Sequence, residues 1–98
     1  MTKNENLARF AAKQVMGWSP DSAAARDFNP AESWADAGML WEKAAEHGMY
    51  FSLESGYRQW RVIPQQDDDP YITASNTGPD ALTKAICRAF GWKGEEDA

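Results

Sequence analysis

Apolar residues recur with a helical period in three separate stretches of this chain. Spacings of three and four residues place them on one side of a helix. They predict helices over Asn4–Met16, Asn29–His47 and Pro79–Phe90. A glycine stands near the end of each stretch, where a left-handed residue commonly ends a helix, at Gly17, Gly48 and Gly91.

The start of the second helix is marked most clearly. Asn29 can cap it, Pro30 suits its first turn, and Glu32 has the spacing of a capping box. Its predicted buried side consists of Trp34, Ala37, Gly38, Trp41, Ala44 and Ala45. The segment Ser19–Phe28 before it is predicted as a loop, in which Ala23-Ala24-Ala25 can extend a short helical turn.

Between the second and last helices the hydrophobic period changes to two. Strands are predicted over Met49–Glu54, Tyr57–Ile63 and Tyr71–Ser75, with a tight turn at Ser55-Gly56 and a polar turn over Gln65–Pro70. The predicted fold class is therefore α+β. Its elements follow the order α-α-β-β-β-α, with a three-stranded antiparallel sheet packed with helices as in an αβα sandwich.

Alternation of side chains assigns the strand residues to two faces. The apolar face receives Met49, Phe51, Leu53, Trp60, Val62, Ile72 and Ala74. The amphipathic face receives Tyr50, Ser52, Tyr57, Gln59, Arg61, Ile63, Tyr71 and Thr73, and is either thinly covered by the first helix or open. The predicted core comprises Leu7, Phe10, Trp34, Trp41, Phe51, Trp60, Val62, Leu82, Ile86 and Phe90.

Length and composition predict one cytoplasmic domain. The 98 residues suffice for a single core, which we expect over about 4–92, followed by a short acidic tail at 93–98. A single cysteine, Cys87, excludes an intrachain disulfide and favours a reducing compartment. No apolar run reaches the ~20 residues of a membrane span, and the N-terminus lacks a signal-peptide core.

Charge gives the first hypothesis about partners. The net charge of −5 argues against direct nucleic-acid binding and permits docking on a basic protein surface. The residues predicted to make that contact are Glu32, Asp36, Glu42, Glu46, Asp67, Asp68 and Asp69. An alternative binding surface for a peptide or small ligand is the amphipathic sheet face, through Tyr50, Tyr57, Arg61 and Tyr71.

No residue pattern predicts catalysis, a metal or a cofactor. His47 is the only histidine and stands at a helix end, and Cys87 stands beside an apolar stripe as a small filler does. Asp67-Asp68-Asp69 lacks the spacing and the closing glutamate of a calcium loop. We therefore expect no enzymatic activity and no cofactor.

The order of elements resembles that of a family of small phage and prophage proteins, the phage ABA-sandwich domain. The similar segments are Val15-Met16-Gly17-Trp18-Ser19-Pro20, Ala44-Ala45-Glu46-His47-Gly48, Tyr57-Arg58-Gln59-Trp60-Arg61-Val62 and Pro79-Asp80-Ala81-Leu82 to Ala85-Ile86-Cys87-Arg88-Ala89-Phe90. The resemblance covers roughly Leu7 to Phe90 and implies helices on both sides of the sheet and a phage origin. Small phage proteins of this size often inhibit host defence, so an anti-CRISPR-like inhibitor is the leading hypothesis. The alternatives are the sheet-face binder and a phage accessory or structural homo-oligomer.

Overall fold

Four helices and a three-stranded antiparallel sheet form the part of the chain that the computed structural model describes, residues 3–19, 21–65 and 72–92. The helices are α1 (Lys3–Phe10), α2 (Ala23–Asp27), α3 (Trp34–Glu46) and α4 (Gly78–Ala89). The strands are β1 (Phe51–Gly56), β2 (Gln59–Pro64) and β3 (Thr73–Ser75), in the spatial order β1-β2-β3. This confirms the α+β class, the element order apart from the short α2, and the antiparallel meander.

The first helix does not stay α-helical to its end. From Ala11 to Val15 it continues as a π-helical turn, in which the amide of Met16 donates to the carbonyl of Ala11 at 3.0 Å. This wider turn keeps Ala11, Ala12 and Val15 buried against α3 and α4. Such turns are rare insertions within an α-helix, and hydrophobic periodicity alone does not distinguish them.

Helix α3 begins later than predicted. Ser33 caps it, with its hydroxyl oxygen accepting from the amide of Asp36 at 3.2 Å, so the prediction that Asn29 is the cap was wrong. Asn29 instead belongs to a preceding turn, where its backbone amide donates to Asp36 Oδ2 at 2.9 Å. Its side chain donates to Glu32 Oε2 at 2.6 Å. Ser33 and Asp36 have the same three-residue separation as Asn29 and Glu32, and this second candidate forms the helix start.

The loop predicted over Ser19–Phe28 contains the short helix α2. Ser22 caps it by accepting from the amide of Ala25 at 3.1 Å, which is how the alanine run forms a helical turn. Phe28, at its end, is buried and packs edge-on against Trp18 with ring centroids 5.1 Å apart. This segment therefore contributes an aromatic anchor to the core.

The β1–β2 turn lies two residues further along than predicted. Gly56 is the last residue of β1 and pairs with Gln59, so Tyr57 and Arg58 form the two-residue turn. Arg58 adopts a φ of 63°, the left-handed conformation that such tight connections require of at least one residue. Ser55-Gly56 has a favourable turn composition, and only the pairing of the strands decides between the two positions.

The predicted faces hold for β1 and β2 and are inverted for β3. Thr73 pairs with Val62, and Ala74 with Arg61, so Thr73 faces the core and is buried, while Ile72 and Ala74 are exposed. The hydroxyl of Thr73 accepts from Arg88 Nη1 at 3.1 Å, which satisfies the one polar group that this inversion buries.

Helix α4 lies at the centre of the molecule. It contacts all three strands on one side, and α1, the π-helical turn and α3 on the others. Small residues allow this close packing from several directions, and its buried set comprises Gly78, Pro79, Ala81, Leu82, Thr83, Ala85, Ile86 and Cys87. The hydroxyl of Thr83 donates to the carbonyl of Pro79 at 2.7 Å, so this buried polar side chain is also satisfied.

The core differs from the predicted set at α3. Leu40 is fully buried there, whereas Trp34 is 52% exposed, so the buried stripe of α3 runs through Ala37, Leu40 and Ala44. The prediction that Trp34 is a core residue was wrong. The other predicted members are buried or pack partly buried against the core.

Candidate interaction surfaces

The outward face of the sheet is not covered by any described helix. Its side chains alternate with the buried ones of β1 and β2, and those of Ser52, Glu54, Arg61 and Ala74 are exposed. The resemblance to the phage family implies helices on both sides of the sheet. In the described residues the helices lie on one side only, and the amphipathic face is open.

Apolar side chains lie together at one end of this open face, away from the β1–β2 turn. Ser52 pairs with Ile63, and Ile72 comes directly before Thr73, the partner of Val62, so Ile72 lies beside Ile63. The amide of Gln65 donates to the carbonyl of Tyr50 at 2.9 Å, which extends the β1–β2 pairing and sets Tyr50 diagonally across from Ile63. Tyr50 is 57% exposed and Ile72 52% exposed. Tyr50, Ile63 and Ile72 are called the apolar patch below.

Polar groups beside the apolar patch are paired with each other. Glu54 Oε1 and Arg61 Nη2, on opposite strands, form an ion pair at 2.8 Å with both side chains nearly half exposed. Ser52 Oγ accepts from Gln65 Nε2 at 2.9 Å. The face thus combines exposed apolar side chains with neighbouring polar groups, and protein–protein interfaces contain both.

The structure brings together only part of the predicted tyrosine and arginine surface. Tyr50 and Arg61 share the open face, but Tyr57 lies in the hairpin turn, 86% exposed and stacked against its neighbour Arg58, with the guanidinium carbon 5.0 Å from the ring centroid. Tyr71 lies outside the described residues. Ile72, which sequence reasoning assigned to the buried face, is part of the patch instead.

The acidic residues of the second predicted helix do not share one side of α3. At about 100° per residue, Glu42 and Glu46 lie about 40° apart, whereas Asp36 lies about 120° from Glu42. Glu42 and Glu46 are exposed, and Lys43 Nζ lies 3.5 Å from Glu46 Oε1. Glu32 and Asp36 both hydrogen-bond to Asn29 at the start of the helix. Asp67, Asp68 and Asp69 lie outside the described residues.

A cleft of about 680 Å³ lies between the start of α3, the end of β3 and the start of α4. It was not predicted from the sequence. The half-exposed indole of Trp34 lines it, lies against Gly78, and meets Trp60 edge-on with ring centroids 5.3 Å apart. On its far side Asp80 Oδ2 accepts from Lys84 Nζ at 3.0 Å and from the hydroxyl of Ser75. Because its partners satisfy this carboxylate, the cleft presents no free acid–base group at Asp80.

The groups considered for chemistry, Cys87 and His47, have structural surroundings. Cys87 is completely buried on α4, and burial raises the pKa of its thiol well above the ordinary value, so the reactive thiolate is suppressed. His47 ends α3 and lies edge-on against Phe90, with ring centroids 5.4 Å apart. Within the described ranges no three histidine, cysteine, aspartate or glutamate residues come together as a metal site would require.

Among the described helices, none has the length and apolar character that crossing a bilayer requires. Comparison with protein-family models, with curated proteins and with solved structures gives no match to this chain. The resemblance to the phage ABA-sandwich domain therefore stays a prediction.

Proposed function

We propose that this chain is a small protein-binding module whose contact surface is the open face of its sheet. The observation that supports this proposal is the exposure of Tyr50 and Ile72, both above half, on a face that no described helix covers. Leaving contiguous apolar side chains in water is unfavourable, and soluble proteins that keep such patches commonly use them for binding.

The composition of the face supports a protein partner. Tyrosine and arginine dominate the binding energy of many protein interfaces, and both occur here, as Tyr50 and Arg61. The backbone of the paired strands is already ordered, so binding here requires no ordering of a loop. Ile63 and Ile72 supply an apolar surface that a partner side chain can cover.

Charge indicates what kind of protein surface fits. The chain carries a net charge of −5, so a partner with an apolar centre and a positively charged surround would be attracted over a distance of about 10 Å in ordinary salt. Glu42 and Glu46 lie on α3, on the helical side of the sheet, and in this proposal they speed the encounter without contacting the partner. A phage origin and inhibition of host defence stay predictions of the family resemblance.

The competing proposal is that the acidic residues themselves cover a basic surface. The observation that favours it is the exposure of Glu42 and Glu46 one turn apart on α3. Removing the patch and reversing the acids are independent changes, since the two sets lie on different layers. Substitutions at the two surfaces therefore separate the proposals.

The test uses three forms of the chain as bait in lysates of candidate hosts: the natural sequence, Tyr50→Ser/Ile72→Ser, and Glu42→Lys/Glu46→Lys. A protein retained by the natural sequence is then purified and its Kd measured with each of the three forms. We expect Tyr50→Ser/Ile72→Ser to weaken binding by about a hundredfold, as the loss of two hot-spot contacts does. Glu42→Lys/Glu46→Lys should mainly slow association and reduce its dependence on salt.

The reverse outcome would establish the acidic surface. If Glu42→Lys/Glu46→Lys abolishes binding and Tyr50→Ser/Ile72→Ser binds as tightly as the natural chain, the open face is not the contact surface. Circular dichroism of all three forms serves as the control for folding, because the four positions are exposed and their substitution should leave the spectrum unchanged.

A further inference from the structure

The outer edge of β1 presents unpaired backbone groups. The turn of Tyr57 and Arg58 makes Gly56 and Gln59 a hydrogen-bonded pair, and such pairs then alternate along an antiparallel ladder. The bond from the amide of Gln65 to the carbonyl of Tyr50 at 2.9 Å fits this alternation. The amides and carbonyls of Phe51, Leu53 and Ser55 must therefore point away from β2. Within the described part of the chain, no backbone hydrogen bond is made to them.

The edge lacks most of the features by which proteins block strand pairing, and its one charged side chain, Glu54, is paired with Arg61. The six residues of β1 contain no proline and no lysine, and their pairing with β2 is continuous, without a bulge. The other edge of the sheet, β3, is only three residues long. A free edge as long as β1 is a template for another strand.

We propose that two copies of this chain pair along β1 in antiparallel orientation and form a continuous six-stranded sheet. The two-fold axis passes between Leu53 of one copy and Leu53 of the other. In this register Leu53 faces its own copy, and Phe51 faces Ser55 of the second copy. Ser52 lies opposite the second copy's Glu54, where its hydroxyl can donate to a carboxylate that Arg61 already neutralises at 2.8 Å. This self-complementarity favours a second copy over an unrelated peptide.

The neighbouring symmetric registers fit less well. Only a shift by two positions keeps the outward amides facing each other. In one direction such a shift places Glu54 directly opposite Glu54, a like-charge pair that destabilises a sheet. In the other direction the overlap moves off the strand toward Tyr50, and fewer of its residues pair.

The pairing also has a consequence for the surfaces described above. The two-fold axis of an antiparallel strand pair stands perpendicular to the sheet, so both helical layers lie on one side. The two open faces then join on the other side, so that one continuous surface carries two apolar patches, each of Tyr50, Ile63 and Ile72, with the polar residues of the paired β1 strands between them. The interface itself is small, so a weak dimer is expected.

The first experiment is sedimentation equilibrium of the natural chain from about 10 µM to about 1 mM, the range of weak association. Each chain carries a net charge of −5, so added salt should strengthen the dimer by screening repulsion, whereas it should weaken binding to a basic partner. The two associations can therefore be told apart, and either can fail without the other. A chain that stays monomeric across this range overturns the proposal.

The backbone amide of Ser55 points away from β2, so Ser55→Pro removes an outward donor and keeps every hydrogen bond to β2. The proline ring has room because Ser55 is exposed. It should weaken dimerisation by about tenfold or more, since each copy loses a donor. Ser55→Ala keeps the amide and should dimerise as the natural chain does. Equal dimerisation of the two variants, with unchanged circular dichroism, would place the interface elsewhere.

The register is tested by cross-linking under mild oxidation. Ser52→Cys/Glu54→Cys brings thiols opposite one another in the proposed pair and should form covalent dimers, while Ser52→Cys alone should not. Cys87 is buried and does not interfere. Covalent dimers from Ser52→Cys alone, or from Glu54→Cys alone, would show a shifted register and contradict the axis at Leu53.

Hydrogen exchange of the natural chain needs no variant. The amides of Leu53 and Ser55 should exchange more slowly as concentration rises, whereas the amide of Glu54, which faces β2, should not change. If these outward amides exchange equally fast at all concentrations and slow only when a partner protein is added, the edge accepts a partner's strand. The self-pairing proposal would then be wrong.

Discussion

Gly78 shows how closely one residue can be constrained by a single contact. A Cβ at this position would overlap the indole of Trp34, which has Trp60 against its edge. Gly38, in the interior of α3, has open space where its Cβ would be. The two glycines therefore respond to alanine in opposite ways.

We expect Gly78→Ala to destabilise the protein by about 1–3 kcal/mol, because Trp34 must move to make room. Gly38→Ala should stabilise it by about 0.5–1 kcal/mol through the higher helix propensity of alanine. Urea unfolding monitored by circular dichroism measures both. Equal effects of the two substitutions would mean that Trp34 does not rest on Gly78.

The Cys87 thiol predicts a dependence of stability on pH. Burial raises its pKa in the folded state, whereas the unfolded thiol ionises near its ordinary value of 9.0. The folded state therefore holds the thiol proton more tightly than the unfolded state does. The free energy of unfolding is unaffected by this group below about pH 9 and decreases as the pH rises above that value. Cys87→Ala removes the group, so its unfolding free energy should fall less steeply than that of the natural chain between about pH 9 and pH 11. Parallel curves would contradict the burial of Cys87.

At the scale of elements, the turn of the β1–β2 hairpin contains a residue in an unfavourable backbone conformation. Arg58 has a φ of 63°, which costs a residue with a Cβ about 1–2 kcal/mol. We expect Arg58→Gly to stabilise the protein by about 0.5–1 kcal/mol, since glycine adopts this conformation freely but loses more entropy on folding. Arg58→Ala is the matched control, because it removes the contact with Tyr57 and keeps the Cβ. If alanine stabilises as much as glycine in thermal unfolding, the backbone is not the cause.

The elements differ in how far local sequence determines them. Helix α4 and the helix ends at Gly17, Gly48 and Gly91 could be predicted, because capping and dipole effects act over one turn. The hairpin turn and the start of α3 both lie beyond their predicted positions, because the pairing of β1 with β2 places the turn at Tyr57-Arg58 and the Ser33 cap starts α3. The inversion of β3 depends on its pairing with β2 and on Arg88, fifteen residues away along the chain, which hydrogen-bonds to Thr73.

The surfaces were harder to predict than the fold for the same reason. Tyr50 and Arg61 were placed on one face by alternation, which a short strand preserves. Ile72 joined them only through the register of β3. Trp34 looked like a core residue by helical spacing, and its position beside the cleft follows from Ser33 starting the helix. Apolar character alone does not show which aromatic residues remain exposed.

At the scale of the whole molecule, stability depends on the one helix that every layer contacts. Leu82 is fully buried on α4, so we expect Leu82→Ala to destabilise the protein by about 2–5 kcal/mol. This is a large part of the roughly 5–15 kcal/mol that holds a domain of this size together. Met39→Ala, at a residue 43% exposed on α3, should change stability by less than about 1 kcal/mol. If Leu82→Ala and Met39→Ala unfold at similar guanidinium concentrations, stability does not depend on α4 in this way.

The position of α4 in the chain sets the order of events during synthesis. As the polypeptide leaves the ribosome, α1, α3 and the sheet emerge first, each with an apolar side that packs against α4 in the folded protein. Those sides stay exposed to water and to chaperones until residues 78–89 have cleared the exit tunnel. Folding of the nascent chain therefore waits for its last helix, and a ribosome that stalls before Gly78 holds a chain with no completed core.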